Sequence, residues 1–376
     1  MTRDSGAPPT DPLANPNGDH TLTRLGWTPE RDVAFEPYDR DGLVPGRVVS
    51  RGSIITAATE DGTTQVIVQR RFKRSVADRT QMPAIGDWLA LAPEATTLRQ
   101  AALRAVLPRG GTFIRQRLSD GQPQVLAANV DIAFIVAGLD HDLNLRRIER
   151  YLVLARDGGV SPVVVLNKAD LADDLDGALA AVATVAEGTP VLVASAATSM
   201  GLEPIRDLIG PGMTACLLGS SGVGKSTITN ALLGEPRQKV KALRDDDSRG
   251  RHTTSHRELF VLANGGLLID TPGLRTVGVL GDAAAVQDSF GDVEALADFC
   301  RFSDCQHQGE PGCAVRASIE AGTLSAERLT SYQTLEAERR SIEIRLEVRA
   351  RREAERSRSR SYRQAGRDAT RLEGGE

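Results

Sequence analysis

Residues 219–226 of this chain read Gly-Ser-Ser-Gly-Val-Gly-Lys-Ser and match the pattern G-x-x-x-x-G-K-[S/T]. An apolar run, residues 214–218, precedes the motif, and a helix-forming stretch from Lys225 to Leu233 follows it. Glycines between a strand and a helix let backbone N–H groups approach a phosphate group, and the helix N-terminus adds partial positive charge. The motif in this setting therefore predicts a parallel α/β sheet that presents a phosphate-binding loop.

The loop also assigns roles to its polar side chains. Lys225 is expected to reach the β- and γ-phosphate oxygens of a nucleoside triphosphate, and the hydroxyl of Ser226 to bind the accompanying Mg²⁺ ion. An accidental glycine-rich turn is the alternative, but it would need two glycines, a lysine and a serine at fixed offsets. The predicted phosphate-binding residues are Gly219, Ser220, Ser221, Gly222, Val223, Gly224, Lys225 and Ser226.

A second motif, Asn167-Lys168-Ala169-Asp170, follows an apolar strand and so belongs at the carboxyl edge of the sheet, where ligands of α/β folds bind. A carboxylate at Asp170 can accept hydrogen bonds from both N1–H and N2–H of guanine, whereas adenine lacks this pair of donors. Such buried polar pairing discriminates on the order of 10⁴-fold in comparable sites. Asn167 is expected to support the loop and the base, and the Lys168 stem to cover one ring face. Alongside the phosphate loop, the motif predicts GTP rather than ATP.

Two further segments are candidates for nucleotide contact. Ser195 and Ala196 follow a short apolar run and could place a backbone N–H on guanine O6, although a turn or helix cap explains them equally well. Asp270 ends another apolar strand and is expected to hold Mg²⁺ through water, with the N–H of Gly273 facing the γ-phosphate.

The connection over residues 234–256 is longer than an ordinary α/β loop, which indicates a functional segment. It contains the sequence Gly-Arg-His-Thr-Thr, and we interpret it as a switch that orders when Mg²⁺ and a γ-phosphate are present. We favour Thr254 over Thr253 as the Mg²⁺ ligand. His252 is either a solvated loop imidazole or a functional group.

The order of the two principal motifs is reversed. In most GTPases the phosphate loop comes first and the guanine-reading motif last, whereas here residues 167–170 precede residues 219–226. A circular permutation can preserve the packed sheet because native termini often lie close together. We therefore predict a circularly permuted P-loop α/β GTPase domain, whose switch segments lead directly into the C-terminal part of the chain.

Four donors for a soft or borderline metal ion lie close together near the C-terminus, in the pattern C-x4-C-x-H-x5-C. Three thiolates and one imidazole complete a tetrahedral Zn²⁺ site and leave no position for water, so one structural zinc ion is expected. A set of reduced, buried cysteines is the alternative. The predicted zinc ligands are Cys300, Cys305, His307 and Cys313.

Composition limits the class of protein. The chain has 376 residues, of which 40% are hydrophobic and 26% charged, and this balance is typical of a folded protein with two or three domains. No apolar run approaches the length of a membrane span, and the first 20 residues lack an apolar signal core, so we expect a cytoplasmic protein that does not enter a membrane. The net charge of −4 disfavours a uniformly basic nucleic-acid protein.

Changes in residue composition and hydrophobic pattern divide the chain into five parts. Short β-type runs after residue 43 predict a small five-stranded OB-fold β-barrel. The predicted parts are a mobile leader (1–40), the OB-fold (41–108), the permuted GTPase domain (109–284), a helical zinc-binding domain (285–345) and an Arg-rich tail (346–376).

A basic cluster follows one strand of the predicted barrel. It suits RNA phosphates, but a solvated edge that discourages strand pairing explains it equally well. The cluster consists of Arg70, Arg71, Lys73 and Arg74.

The permuted order, the Gly-Arg-His-Thr-Thr sequence, the N-terminal barrel and the cysteine cluster together resemble one family, the small-ribosomal-subunit-dependent GTPases called RsgA or YjeQ. The resemblance covers about residues 43–345. It implies that the barrel, the GTPase domain and the zinc domain bind the maturing 30S subunit and its 16S rRNA. It also implies that a monomer hydrolyses GTP to GDP and phosphate when this subunit stimulates it.

The resemblance extends to individual residues. It implies Thr227 as a further phosphate-site residue, and it supports Thr254 and Asp270 at the Mg²⁺ ion. Ser255 stands where family members often have a third threonine. Leu274 stands where many GTPases have a glutamine that orients the attacking water, so another polar group must do so, and His252 is our candidate.

Two rival functions remain open at this stage. One is an RNA-binding assembly factor in which a guanine nucleotide only stabilises the fold. The other is a permuted GTPase that acts on a partner protein unrelated to the ribosome. The first predicts no turnover of GTP, and the second predicts no response of the GTPase rate to ribosomal subunits.

Overall fold

The structure is a computed structural model. It describes residues 21–76, 79–93, 99–116, 123–140, 143–220, 222–234, 257–270 and 290–337, together with residues 340, 341, 344, 348 and 351. The chain divides into two compact units, Met1–Gly278 and Val279–Glu376. None of the helices in the described part of the chain combines the length and apolar character that crossing a membrane requires.

The strands and helices of the described residues are as follows. The strands are β1 Val44–Arg51, β2 Ile55–Thr59, β3 Gly62–Ile67, β4 Trp88–Pro93, β5 Gln100–Val106, β6 Thr112–Gln116, β7 Pro123–Ala128, β8 Ile132–Gly138, β9 Ser161–Asn167, β10 Val191–Val193, β11 Thr214–Leu218, β12 Arg257–Val261 and β13 Leu267–Asp270. The helices are α1 Thr21–Arg24, α2 Pro29–Asp39, α3 Arg70–Ser75, α4 Leu145–Asp157, α5 Leu175–Ala183, α6 Leu202–Leu208, α7 Lys225–Leu233, α8 Gly291–Ala297 and α9 Ala314–Glu320.

The first five strands form a closed barrel. Strand β1 pairs with both β2 and β4, β2 pairs with β3, and β5 pairs with β3 and β4, which leaves no open edge. The β3–β5 pair is parallel and the others are antiparallel. Trp88, Leu89 and Leu91 are fully buried on β4. This closed five-stranded arrangement confirms the predicted OB-type barrel.

An α/β sheet continues from the barrel within the same unit. Its strand order is β10-β9-β8-β11-β13-β12, in which β12 alone is antiparallel to its neighbour among these described strands. All seven residues of β8 and all five of β11 are buried, which explains why these strands read as unbroken apolar runs. Cys216 on β11 is fully buried, and burial raises the pKa of its thiol. The predicted parallel sheet is confirmed.

The barrel and the α/β sheet are joined through strand pairing. Strand β12 pairs with β1 in antiparallel register, with Ser50 opposite Glu258 and Arg51 opposite Arg257. Because β12 also pairs with β13, one continuous hydrogen-bonded sheet connects the strands of the α/β sheet with the barrel.

A buried arginine reinforces this junction. Arg47 of β1 is 1% exposed and donates to the hydroxyl of Thr214 at 2.8 Å, to the carbonyl of Asn129 at 3.3 Å and to the carbonyl of Leu25. Its guanidinium also lies 5.4 Å from the centroid of the Trp88 ring. Burial, helped by the charge of a neighbouring arginine, lowers the pKa of Arg47 to about 9. One side chain thus ties the barrel to the first residue of β11.

The prediction of a mobile leader over residues 1–40 is wrong for residues 21–39, which contain the helices α1 and α2. Leu25 is fully buried and Phe35 is 5% exposed, and both belong to the main hydrophobic core. Trp27 packs edge-on against Trp88 at 4.8 Å between ring centroids. A few apolar side chains anchor this polar segment, so its composition concealed the packing. Residues 1–20 lie outside the described residues.

The C-terminal unit is helical, as predicted. Helices α8 and α9 and a helical stretch over residues 326–337 surround buried Phe290, Val293 and Val315. Arg328 makes two hydrogen bonds to Asp292, at 2.9 and 3.0 Å, and stacks 4.4 Å from the Phe290 ring centroid. Apart from residues 348 and 351, the predicted Arg-rich tail lies outside the described residues.

Truncating Phe35 tests whether α2 belongs to the core. We expect Phe35→Ala to lower the free energy of unfolding by roughly 3–5 kcal/mol, because it removes a buried ring. The control, Val33→Ala on the same helix, alters a side chain that is 74% exposed and should change stability by less than about 0.5 kcal/mol. Urea unfolding measures both. Equal, small effects would show that α2 does not contribute to the core.

Candidate functional site

The phosphate loop connects the end of β11 to the start of α7, as its sequence requires. Gly219 and Gly224 have left-handed backbones, with φ of +145° and +96°. A Cβ atom at Gly219 would lie 2.4 Å from the backbone carbonyl oxygen of Val136. A Cβ atom at Gly224 would lie 2.2 Å from the side-chain nitrogen Nδ2 of Asn167. Both positions therefore require glycine for conformation and for space.

Charge and helix direction both favour an anion at this loop. The ammonium group of Lys225 donates to the carbonyl of Gly219 at 2.9 Å and to the carbonyl of Ser220, so it lies over the loop itself. Ser226 and Thr227 lie in the first turn of α7, and the N-terminal end of a helix carries partial positive charge. The structure thus brings together the predicted phosphate-site residues that it describes, while Ser221 lies outside them.

Asn167 joins the predicted guanine motif to the phosphate loop. Its side chain is 1% exposed at the end of β9. The Nδ2 group donates to the carbonyl of Val223 at 2.7 Å, and Oδ1 accepts a hydrogen bond from the N–H of Ala196 at 3.0 Å. One buried amide therefore holds together three segments that are far apart in sequence.

The next residue of the motif is also held in place. Lys168 adopts a left-handed backbone with φ of +64°, and its ammonium forms an ion pair with Asp140, just beyond the end of β8. The side chains of Lys168 and Asp140 are 18% and 21% exposed. Strand β8 lies between β9 and β11, so Asp140 occupies the edge of the sheet between the guanine motif and the phosphate loop.

Asp170 lies on the exposed side of the motif and accepts a hydrogen bond from the hydroxyl of buried Ser195. This contact orients a carboxylate that remains accessible to a base. The N–H of Ser195 donates to the carbonyl of Met200 at 2.9 Å, while that of Ala196 donates to Asn167. Both backbone groups proposed for guanine O6 thus have acceptors within the protein, and the Ser195 hydroxyl acts on Asp170 instead.

Asp270 ends β13, which runs parallel to β11, so it lies at the same edge of the sheet as the phosphate loop. This position suits an Mg²⁺ ligand in a shared site with Ser226. The other predicted switch residues, His252, Thr254 and Gly273, lie outside the described residues.

The four predicted zinc ligands converge. Their donor atoms all lie within 4.8 Å of one another. Nδ1 of His307 lies 3.6 Å from Sγ of Cys300 and 3.4 Å from Sγ of Cys313, and these two sulfur atoms are 4.0 Å apart. A tetrahedral zinc ion with Zn–S of about 2.3 Å and Zn–N of about 2.0 Å needs donor separations near 3.5–3.8 Å. The cluster, completed by Cys305, therefore fits one Zn²⁺ ion.

The loop around His307 is shaped by a carboxylate that the sequence did not suggest. Glu310 accepts hydrogen bonds from the N–H groups of Gln306 at 2.9 Å, Gln308 at 2.8 Å and Gly309 at 3.0 Å. Hydrogen bonds from backbone N–H groups, its own first, lower the pKa of Glu310 to about 2. Because the pKa is lowered, this contribution to stability is present at neutral pH and is lost as the pH falls towards 2. The loop that presents the imidazole is thus built around an ionised side chain.

Burial and hydrogen bonding also act on the metal-binding side chains. Burial opposes ionisation of Cys300, but hydrogen bonds from the N–H groups of Val315 and Ala314 at the start of α9 lower the pKa of its thiol. Burial lowers the pKa of His307, which favours the neutral imidazole that a metal ion requires. Gln333 donates to the carbonyl of His307 at 3.3 Å and fixes the loop from the helix behind it.

Comparison with known proteins identifies the family. A family model described as RsgA GTPase matches residues 106–280. A small ribosomal subunit biogenesis GTPase RsgA from Opitutus terrae is 44% identical over 331 residues, which cover 85% of this chain and 90% of the relative. This chain belongs to the RsgA GTPase family. An RsgA protein from Streptomyces coelicolor is also 44% identical, over 85% of this chain and 87% of its own length.

Solved structures agree with the RsgA assignment. The crystal structure of YjeQ from Thermotoga maritima is 25% identical, with a TM-score of 0.57, and the match covers 79% of this chain and 98% of that one. The structure of YloQ, a circularly permuted GTPase, matches with a TM-score of 0.54 at 22% identity, over 80% of this chain and 96% of that one, and supports the fold. The predicted family, the permuted GTPase fold and the identity as a GTP hydrolase are confirmed.

The sequence motifs did not identify Asp140 or Glu310 as supports of the sites, and they gave Ser195 a contact with guanine O6 and not its hydrogen bond to Asp170. A signal existed for Asp140, because an aspartate two residues beyond a fully buried strand of a parallel sheet lies near the ligand-binding edge. No comparable signal pointed to Glu310, whose role depends on the path of the surrounding loop.

Adding a methyl group at Gly224 tests the contact with Asn167. We expect Gly224→Ala to weaken GTP binding about 10- to 100-fold, because the new Cβ displaces the amide that ties the base motif to the loop. The matched control is Gly234→Ala, which has a left-handed φ of +73° but no atom within 4 Å of the added Cβ. Isothermal titration calorimetry measures both. Equal affinities in the two variants would argue against the Asn167 bridge.

Proposed function

We propose that this chain is a GTPase of small ribosomal subunit biogenesis, which binds the 30S subunit and hydrolyses GTP to GDP and phosphate when the subunit stimulates it. The observation that carries the GTPase activity is the Asn167 amide, which joins a guanine-reading motif and a phosphate loop into one site. The step to the ribosome is supported by the names of relatives that are 44% identical over 85% of the chain.

Recognition of the base is assigned to three residues. Asp170 accepts the N1–H and N2–H groups of guanine, with its carboxylate oriented by Ser195. The stem of Lys168 covers one face of the ring while its ammonium is held by Asp140. Asn167 keeps this arrangement at a fixed distance from the phosphates.

The phosphate end of the site supports hydrolysis. Residues 219–227 surround the phosphates, and Ser226 and Asp270, with Thr254 from the switch, would hold Mg²⁺. That ion, when bound, neutralises charge on the phosphate oxygens. Gly273 provides an N–H group for the γ-phosphate. Because Leu274 cannot orient water, we assign that role to His252, which the 30S subunit positions by ordering the switch.

Binding of GTP and of the subunit are then coupled. If GTP orders the switch and the ordered switch favours the subunit, the subunit must favour GTP by the same factor. Loss of the γ-phosphate removes this coupling, so hydrolysis leads to release. Neither rival function predicts this coupling between GTP and the 30S subunit.

A basic surface on the barrel supports contact with 16S rRNA. Helix α3, which begins three residues after the end of β3, carries four exposed cationic side chains. Contacts of this kind to RNA phosphates weaken as the salt concentration rises. The residues are Arg70, Arg71, Lys73 and Arg74. The Arg-rich tail is assigned the same role.

The remaining assignments complete the proposal. One structural Zn²⁺ ion is bound by the Cys3His cluster and stabilises the C-terminal domain. We place the domain boundaries near residues 109, 285 and 346, with residues 21–39 assigned to the barrel because Trp27 packs on Trp88, and we assign a cytoplasmic location and a monomeric state.

Addition of purified 30S subunits tests the proposed partner. We expect them to accelerate GTP hydrolysis by roughly 10³- to 10⁵-fold, and His252→Ala to remove most of that acceleration, because the imidazole no longer positions the attacking water. His256→Ala, in the same segment, is the matched control and should retain it. Phosphate release with 30S subunits, 50S subunits and free rRNA measured in parallel separates a ribosomal GTPase from both rivals. Equal stimulated rates in His252→Ala and the parent would exclude the histidine.

Removal of zinc tests the structural site. We expect one zinc ion per chain by elemental analysis, and we expect Cys313→Ser to lose the metal together with part of the helical circular dichroism signal. Lowering the pH should release zinc as thiolates and imidazole become protonated, because protons compete for the same atoms. The control Cys216→Ala changes a cysteine outside the cluster and should retain the metal. Full helical signal after complete removal of zinc would contradict a structural role.

A further inference from the structure

Two arginines are directly opposed where the barrel joins the α/β sheet, and the charge of a third acts on one of them. Arg51 is the last residue of β1, and Arg257 is the first residue of β12 and its cross-strand partner. Arg115 lies on β6, in a hairpin formed with β7, and its charge acts on Arg257. We call these three residues the arginine cluster.

The arginine cluster contains buried donors without acceptors. Arg257 is 8% exposed, and its side-chain Nε is buried without a hydrogen-bond partner in the structure. The Nε of Arg115 is buried and unpartnered as well, while Nη2 of Arg115 donates to Gln124 at 3.4 Å. Guanidinium donors taken out of water in this way cost free energy until an acceptor satisfies them.

The carboxylate that attracts Arg51 is already paired with another arginine. Asp87 attracts Arg51, but both oxygens of that carboxylate are held by Arg109, each at 2.6 Å, and one also accepts the N–H of Ala84 at 2.6 Å. Among the residues that the structure describes, no ion pair satisfies Arg51, Arg115 or Arg257.

Mutual repulsion is evident within the cluster. Burial and then the charges of Arg51 and Arg115 lower the pKa of Arg257 to about 10. Like charges on directly opposed residues of two strands destabilise the pair. A fold that keeps three such cations together gains most when an anion with several acceptor oxygens lies between them.

We propose that Arg51, Arg115 and Arg257 form a binding site for a phosphate group. Planar guanidinium groups match the geometry of phosphate oxygens, and three of them can share one tetrahedral anion. The phosphate can belong to free inorganic phosphate or to an RNA backbone, and both present the same oxygens. Because β12 pairs with β1 and β13, a bound anion stabilises the junction between the barrel and the strand that ends at Asp270.

The site makes a prediction that a purely structural arginine would not. We expect Arg257→Met to melt at or above the temperature of the parent in phosphate-free buffer, because it removes a buried cation that lacks a partner. We also expect its apparent affinity for phosphate to be about tenfold weaker, since a charge-assisted hydrogen bond is lost. The measurement is the melting temperature of the full chain as inorganic phosphate replaces chloride at constant ionic strength.

Two features of the design isolate the arginine cluster. The protein is kept saturated with Mg²⁺ and GDP, so the nucleotide site is equally filled in every sample. Arg146→Met, which alters an exposed arginine on α4, reports the general stabilising effect of phosphate on folded proteins. Arg115→Met is a second cluster variant on a different strand, and it keeps the test decisive if Arg257→Met does not fold.

A competition arm identifies the source of the phosphate. A short single-stranded RNA that displaces inorganic phosphate in the parent, and binds more weakly to Arg115→Met, identifies an RNA phosphate as the ligand. Phosphate binding that the RNA does not displace identifies the free anion. The proposal is overturned if phosphate raises the melting temperature equally in the parent, Arg146→Met and Arg115→Met.

Discussion

The buried amide of Asn167 is the contact on which the nucleotide site depends. Its Nδ2 group donates a hydrogen bond to the phosphate loop, and its Oδ1 accepts one from the segment after β10. One side chain therefore sets the spacing between the base end and the phosphate end of the site. Gly224 is required at its position because any larger residue would enter the space of this amide. The reversed order of the two motifs along the chain is compatible with this contact, because β9 and β11 lie on either side of β8 in one parallel sheet.

Strand pairing at the junction connects the barrel directly to a strand of the nucleotide site. Strand β12 pairs on one side with β13, which carries Asp270 at its end, and on the other with β1 of the barrel. Arg47 adds a buried link from β1 to Thr214 at the start of β11. A displacement of β12 would therefore be transmitted to the barrel through hydrogen-bonded strands and not through a flexible linker.

The sequence allowed the parts of the fold that need particular residue types at fixed spacing to be predicted. The phosphate loop, Asp170 and the Cys3His cluster are of this kind, because their chemistry admits few substitutes. The two N-terminal helices were missed because a few buried side chains, such as Leu25 and Phe35, anchor an otherwise polar segment. The pairing of Arg51 with Arg257 depends on the register of distant strands, which local patterns do not specify.

The burial of Cys216 separates the four thiols of the chain into two chemically distinct groups. Cys216 lies inside β11 with its ionisation suppressed, whereas the other three thiols surround the proposed metal position. An alkylating reagent would thus modify Cys216 only after the central sheet opens, but would reach the partly exposed Cys300 and Cys305 once the metal is withdrawn. The number of modified thiols per molecule would then distinguish loss of metal from global unfolding without any engineered label.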